Sequence, residues 1–228
     1  MVAQNVQYSS DTFAPDRLLA GNTIGPVSRT ATLLSGVGAI TRGTLLGAVT
    51  MGAATAAAKS GGNTGNGTCT MDATTPVLVN GIPGVYQVRF VVAATNNGTF
   101  NVTDPRGVFL GQVIMAAGAG AFSNRIKFAI ADGATDFAVG DGFDITVAAG
   151  TGKLKKCVKT ANDGSAVPFA IAADTSDSTS ADAVLGVYIA GEFNLTAMTV
   201  DASFDLTTEA DLALLRAQQL YVKTSIPA

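Results

Sequence analysis

The chain has 228 residues, enough for one large β-domain or two small ones. Charged residues make up 14% and the net charge is −3, which removes the electrostatic case for nucleic acid or acidic membranes. Histidine is absent, and with it the commonest general base, the commonest metal ligand and the usual pH switch.

The 26 glycines, beside many Ala, Thr and Val, fit a small-residue β-protein with tight turns. They equally fit a chain that hides surface against other chains. Cys69 and Cys157 are too few for a disulfide framework or a four-ligand zinc site, and read as unpaired buried thiols. The opening MVAQNVQYSS lacks the basic start and apolar run of a secretory leader, and no apolar run is long enough to span a bilayer. The Asn-x-Ser/Thr triplets at Asn66, Asn97, Asn101 and Asn194 then read as accidents of a Thr-rich chain.

Residues 1–16 are polar and aperiodic, with Tyr8 and Phe13 as isolated rings. They read as a frayed terminus or as an arm that orders on a partner. Turn signals at Gly21-Asn22 and Gly25-Pro26 lead into a first strand, Val27–Leu34. Ile40–Thr50 is read as a second strand, bent at Arg42-Gly43. Ala53–Thr68 holds no large apolar residue and reads as a linker, with a domain boundary near Lys59.

A second β pattern follows. Val85–Val92, Thr99–Thr103, Val108–Met115, Arg125–Ile130 and Phe143–Val147 each alternate, with turn residues between them. GAGAF before Ser123 reads as a small-residue link. Five such strands point to an antiparallel sandwich or barrel. Lys153–Lys159, with four lysines, reads as a returning edge strand with a solvated face. Ala166–Ala172 is a strand, and Ala173–Asp182 a loop.

Val184–Asn194 alternates most cleanly, with Leu185, Val187, Ile189 and Phe193 on one face. A strand with one buried face needs sheet partners, and Ile40–Thr50 is the expected one. The reading is one β-domain written in two pieces, 17–58 and 150–228, with a β-module at 59–149 inserted into it. Thr207 or Thr208 caps a short helix running to about Gln219, and Leu220–Ile226 closes the chain as a strand.

No catalytic constellation is present: without His, a Ser-His-Asp or Cys-His arrangement cannot be assembled, and an enzyme is not expected. GNTGNG lacks the Lys-Ser/Thr ending of a phosphate loop. Asp132/Asp136 and Asp141/Asp144 hint at calcium, but their spacing is not that of an EF-hand, so no metal or other cofactor is expected.

DRLLAG, Arg42-Gly43-Thr44-Leu45-Leu46-Gly47, Gly191-Glu192-Phe193-Asn194 and the short C-terminal helix fall in an order that resembles the lambda-type head decoration proteins of tailed phages. The resemblance covers 17–58 and about 150–228; the inserted module departs from the simplest members. It implies a capsid cement protein on the outer surface of the virion. Such a homotrimer would bind the major capsid protein at three-fold positions of the expanded head and hold it against packaged DNA. Residues 1–16 would add a strand to a capsid edge, with Tyr8, Phe13, Arg17 and Leu18 as contacts. The alternative is a carbohydrate- or host-surface-binding module carried on a virion or cell surface, with the insert as its active part.

Overall fold

The computed structural model of the protein describes residues 17–21 and 23–224. Its first strands are β1 (Val27–Leu33), β2 (Ala39–Ile40), β3 (Leu45–Ala48) and β4 (Met51–Ala58). Then come β5 (Thr68–Met71), β6 (Gly84–Ala94), β7 (Asn97–Thr103), β8 (Phe109–Met115), β9 (Ala119–Asn124), β10 (Ile126–Ala131) and β11 (Gly142–Ala149). The chain ends with β12 (Leu154–Lys156), β13 (Pro168–Ala172), β14 (Ser176–Asp177), β15 (Ala183–Asn194), α1 (Glu209–Arg216) and β16 (Leu220–Lys223). The fold is mainly β, with a small closed barrel and a short C-terminal helix.

β1, β12, β3, β13 and β15 pair in that order, and β1 pairs again with β15, which closes a five-stranded barrel. Its interior is filled by Leu33, Leu46, Ala48, Leu154, Ala170, Ala172, Leu185 and Val187. A barrel this narrow has no room for a lumen, so Ala and Val fit where larger side chains would clash. β16 adds to β15 in parallel along Gly191–Asn194. A second core lies between the barrel wall and the C-terminal layer: Leu18, Leu45, Ile171, Phe193, Phe204, Leu215 and Leu220. Thr208 caps α1 by accepting from the Asp211 N–H, and Leu215 is fully buried.

Three expectations about the long strands need correction. Ile40–Thr50 is not one strand: Gly43, at φ +88°, turns the chain between β2 and β3. Nor is it the direct partner of β15, whose neighbours are β1, β13 and β16; β3 reaches β15 only through β13. The single buried face of β15 holds only to its middle. From Ala190 to Asn194 every residue is buried, because residues 17–20 and β16 cover what would be the solvent side.

The domain crossover also moves. Ala53–Ala58 is not a linker but most of β4, paired with β11 from Met51↔Ala149 to Ala58↔Phe143. Ala54 and Ala56 pack on the neighbouring core, so small side chains made an edge strand look like a spacer. By hydrogen bonding the chain leaves the barrel at Thr50. β3 pairs with β12 and β4 with β11, so a two-stranded ladder runs from one unit into the other. The hairpin at 162–165 braces that ladder: the Asp163 carbonyl accepts from Thr50 N and Met51 N, at 2.9 and 3.0 Å.

In the middle unit the sheet β4-β11-β6-β7-β8 faces the sheet β5-β10-β9, and the two meet along the β8/β9 and β4/β5 edges. The five expected strands are present. β4, β5 and β9 escaped the reading because Ala, Gly, Thr and Ser carry little hydrophobic signal. The core is aromatic. Phe100 packs against Phe90 at 4.6 Å and edge-on to Phe137 at 5.2 Å between ring centroids. Loops are tied by carboxylates: Asp141 accepts from the N–H groups of Thr64, Gly65 and Ala138, each at 2.9 Å.

The lysine-rich return is not an edge. β12 lies between β1 and β3, and three of the four lysines in Lys153–Lys159 are answered by carboxylates. Lys153 pairs with Asp182, Lys155 with Asp163 at 3.1 Å, and Lys159 with the buried Asp211 at 2.6 Å. Lys159 also lies over the Phe204 ring.

Candidate functional site

Arg42–Gly47 and Gly191–Asn194, far apart in sequence, meet through one core, in which Leu45 and Phe193 join Leu18 at the start of the described chain. Gly43 is where the first segment packs on the turn that follows the second. Its N–H donates to the Ala172 carbonyl at 2.8 Å, and its carbonyl accepts from Thr199 N at 2.9 Å. A Cβ there would lie 2.4 Å from the Ala197 carbonyl oxygen, so only Gly allows the approach. Thr44 Oγ1 donates to the Thr41 carbonyl at 2.7 Å, and Leu45 N to Thr199 O at 2.9 Å. Gly47 passes the hairpin at 162–165 so closely that a Cβ would sit 2.0 Å from Ser165 O.

The Gly191–Asn194 segment holds residues 17–21. Asn194 N donates to Leu18 O at 2.8 Å, Asn194 Nδ2 donates to Arg17 O at 3.0 Å, and Ala20 N donates to Glu192 O at 2.9 Å. Asn194 Oδ1 accepts from Thr196 N and Oγ1, which turns the chain after β15. Glu192 is buried beneath Gly21 and accepts from Lys223 Nζ at 2.6 Å. A carboxylate out of water requires such a partner. The segment is therefore a clamp on the chain that follows residues 1–16.

Of the four expected contact residues, Tyr8 and Phe13 lie outside the described residues. Arg17 is exposed beside Asn194. Leu18 is not a surface residue: at 1% exposure it packs in the core with Phe193 and Leu220. Its side chain anchors the root of the arm and is not open to a partner. Neighbouring apolar residues in one stretch of sequence gave no means of telling anchor from contact.

The titratable groups serve structure. Burial pushes both the Cys69 and Cys157 thiols up to about 12, and both are unpaired. Burial also acts to raise the Asp104 and Asp141 carboxyls, but the backbone N–H groups pointing at them outweigh it and hold both below the usual range. Among the described residues no three Asp, Glu or Cys side chains gather into a metal cluster. Of the two pairs that hint at calcium, Asp136 in the first accepts from Asn96 N, and in the second Asp141 is taken by backbone N–H groups and Asp144 by Arg89.

No protein-family model matches the chain, and no curated protein matches it. Among solved structures it is similar to FlgL of Xanthomonas campestris at 24% identity, over 50% of this chain and 33% of that one, with a TM-score of 0.30. The chain thus spans about a third of that protein's length, and a superposition this loose carries no argument about fold or role.

Proposed function

We propose that this chain is a capsid decoration protein: a homotrimer that binds the major capsid protein outside an expanded phage head and stabilises it against internal DNA pressure. One observation carries the reading. The Arg42–Gly47 and Gly191–Asn194 segments resemble the lambda-type family in sequence; Leu45 of the first and Phe193 of the second share a core with Leu18, and Gly191–Asn194 clamps residues 17–21, where residues 1–16 end. A trimer engaging several capsid subunits gains by effective concentration. A ligand that binds only the mature lattice stabilises it by mass action. Residues 1–16, with Tyr8, would add a strand to a capsid edge, and Arg17 would supply a cation beside it.

The test is binding of the purified protein to expanded and unexpanded heads, with and without residues 1–16. Preference for expanded heads, weakened by the truncation, supports the reading. Equal binding to both forms would refute cementing, and no loss on truncation would refute the arm.

A second reading has its own support in the middle unit. A recess of about 360 Å³ between β5, β9 and β10 is lined by the largely buried Phe122 and Phe128 and by Asp72, Ser123 and Lys127. Aromatic rings beside polar side chains suit a sugar ring, so the unit is also proposed as a glycan-binding face. A glycan array with the full chain, repeated with Phe122→Ala, tests it. Binding unchanged by the substitution would rule out this recess.

A further inference from the structure

One end of the barrel is open. Arg29, Ile189, Pro168 and Ala48 lie at the ends of the rows that fill the interior, beyond Ala31, Val187, Ala170 and Leu46. They border two adjoining recesses that share Phe169 and Gln218. One, of about 380 Å³, is lined by Arg29, Phe169, Ile189 and residues 217–219. The other, of about 200 Å³, is lined mainly by apolar groups of Ala48, Val167, Pro168 and Phe169.

Arg29 is held in an unusual way. Its guanidinium lies 5.0 Å from the centre of the Phe169 ring, and none of the described residues offers it a carboxylate or another hydrogen-bond acceptor. Most other cations of the chain have an anion: Arg89, Arg125, Lys127, Lys153, Lys155, Lys159, Arg216 and Lys223 all do. The planar fork is thus oriented with its donors unused, an arrangement suited to a carboxylate arriving from outside. The wall beside it is strained. Gln219, a residue with a Cβ, sits at φ +62°, held by bonds from its N–H to Arg216 O and from Gly191 N to its carbonyl. Such backbone persists where surrounding structure enforces it, and it sets the Gln219 amide at the recess.

We propose that this barrel mouth receives residues 11–13 of a second copy of the chain, the Asp11 carboxylate on Arg29 and the Phe13 ring in the apolar recess. Three arguments select that occupant. Residues 1–16 carry two carboxylates, Asp11 and Asp16, and no Lys or Arg, so their charge complements an unanswered cation. Asp11 and Phe13 are two apart, so an extended segment shows both on one side, about 7 Å apart. An acid beside a ring matches a cation beside an apolar recess.

The third argument is direction, and it favours a neighbour's segment over the chain's own. Residues 17–20 run antiparallel to β15, with Leu19 opposite Phe193 and Arg17 beside Asn194. The segment before Arg17 therefore starts at the Asn194 end. The mouth lies the other way, five residues back along β15 at Ile189, roughly 17 Å off. Phe13, four residues before Arg17, spans at most about 14 Å between Cα atoms, so the chain's own ring arrives only by doubling straight back along β15, fully stretched. A contact from one copy's arm to the next copy's mouth is heterologous, and such contacts close into rings when the rotation allows. This deepens the proposed function by naming how copies join in the trimer, and leaves Tyr8 for the capsid.

The experiment uses the full chain without heads, so its failure leaves head binding untouched. A photo-crosslinking benzophenone side chain replaces Phe13, and ¹⁵N-labelled copies are mixed with unlabelled ones. The expected products are mixed-isotope crosslinks to 167–169 and 217–219. Arg29→Glu should reduce them at least tenfold, and adding Asp11→Arg to that variant should restore them. Because Arg29 is exposed, the substitution leaves the cores intact, which circular dichroism checks. Crosslinks within a single copy, crosslinks elsewhere on the neighbour, an absence of crosslinks, or indifference to Arg29→Glu each overturn the proposal.

Discussion

The barrel and the middle unit are both built of paired strands, but they are assembled from opposite materials. The barrel draws its five strands from two stretches of chain on either side of the middle unit, and fills itself with Leu, Val and Ala. The middle unit is one continuous stretch, mostly a meander, around a cluster of Phe rings. Neighbouring strands that are also neighbours in sequence close short loops, which is entropically easy. The barrel can close only after both ends of the middle unit have been brought together at β3 and β12. A contiguous insert whose first and last strands pair, β4 with β11, does that for it.

Breaking the aromatic core should separate the two units most sharply. Phe100→Ala removes a fully buried ring and is expected to cost about 3–5 kcal/mol. Hydrogen exchange should then show β6 and β7 losing protection while β15 keeps its own. Equal loss in both would mean that the two units unfold as one.

The reverse experiment strikes the barrel. Gly43→Ala forces a Cβ against the Ala197 carbonyl at a left-handed φ, and is expected to cost about 1–3 kcal/mol. The loss should appear in the barrel amides and weaken head binding, while β6–β7 protection holds.

Asp141→Asn weakens the acceptor for three backbone N–H groups and should destabilise the middle unit by about 1–3 kcal/mol in urea unfolding. Acid titrates both units together. Asp104 and Asp141 in one, and Asp163, Asp182 and Asp211 in the other, are all held below the ordinary Asp value. A depressed folded-state pKa means stability that is complete above the unfolded value near 4 and is lost as pH falls below it. Urea midpoints should therefore be flat from pH 7 to about 5 and fall steeply by about pH 3.

The smallest effect concerns the thiols. With both raised to about 12 by burial, the native chain should react slowly with a thiol reagent at about pH 8, and fast once unfolded. Cys69, partly exposed, should react before the fully buried Cys157.

The sequence revealed those parts of the fold where side chains alternate in size and polarity. β6, β7, β10 and β15 are legible for that reason. β4, β5 and β9 are not, because an alanine that packs and an alanine in a spacer look alike until a partner strand is placed beside it. Turn residues were legible between the middle-unit strands, where they interrupt the alternation. Gly43 was seen as a bend, but nothing local says that it ends one strand and starts another. The Gly-Glu-Phe-Asn and Arg-Gly-Thr segments could be picked out, but that Phe193 and Leu45 share a core is a matter of long-range packing. Leu18 was misjudged because its burial depends on Phe193 and Leu220, both far along the chain. The barrel mouth left no trace in the sequence at all, since Arg29, Phe169 and Gln219 meet only through the closure of β1 on β15.

The ladder that runs from β3–β12 into β4–β11 makes the barrel a mounting socket. Any foreign β-unit whose terminal strands lie side by side presents the two ends that Thr50 and Gly150 require, and Gly150 N already bonds to Thr50 O at 2.9 Å. Cargo exchanged at that seam would be displayed in a set orientation, upright on its base, with no tether to tune.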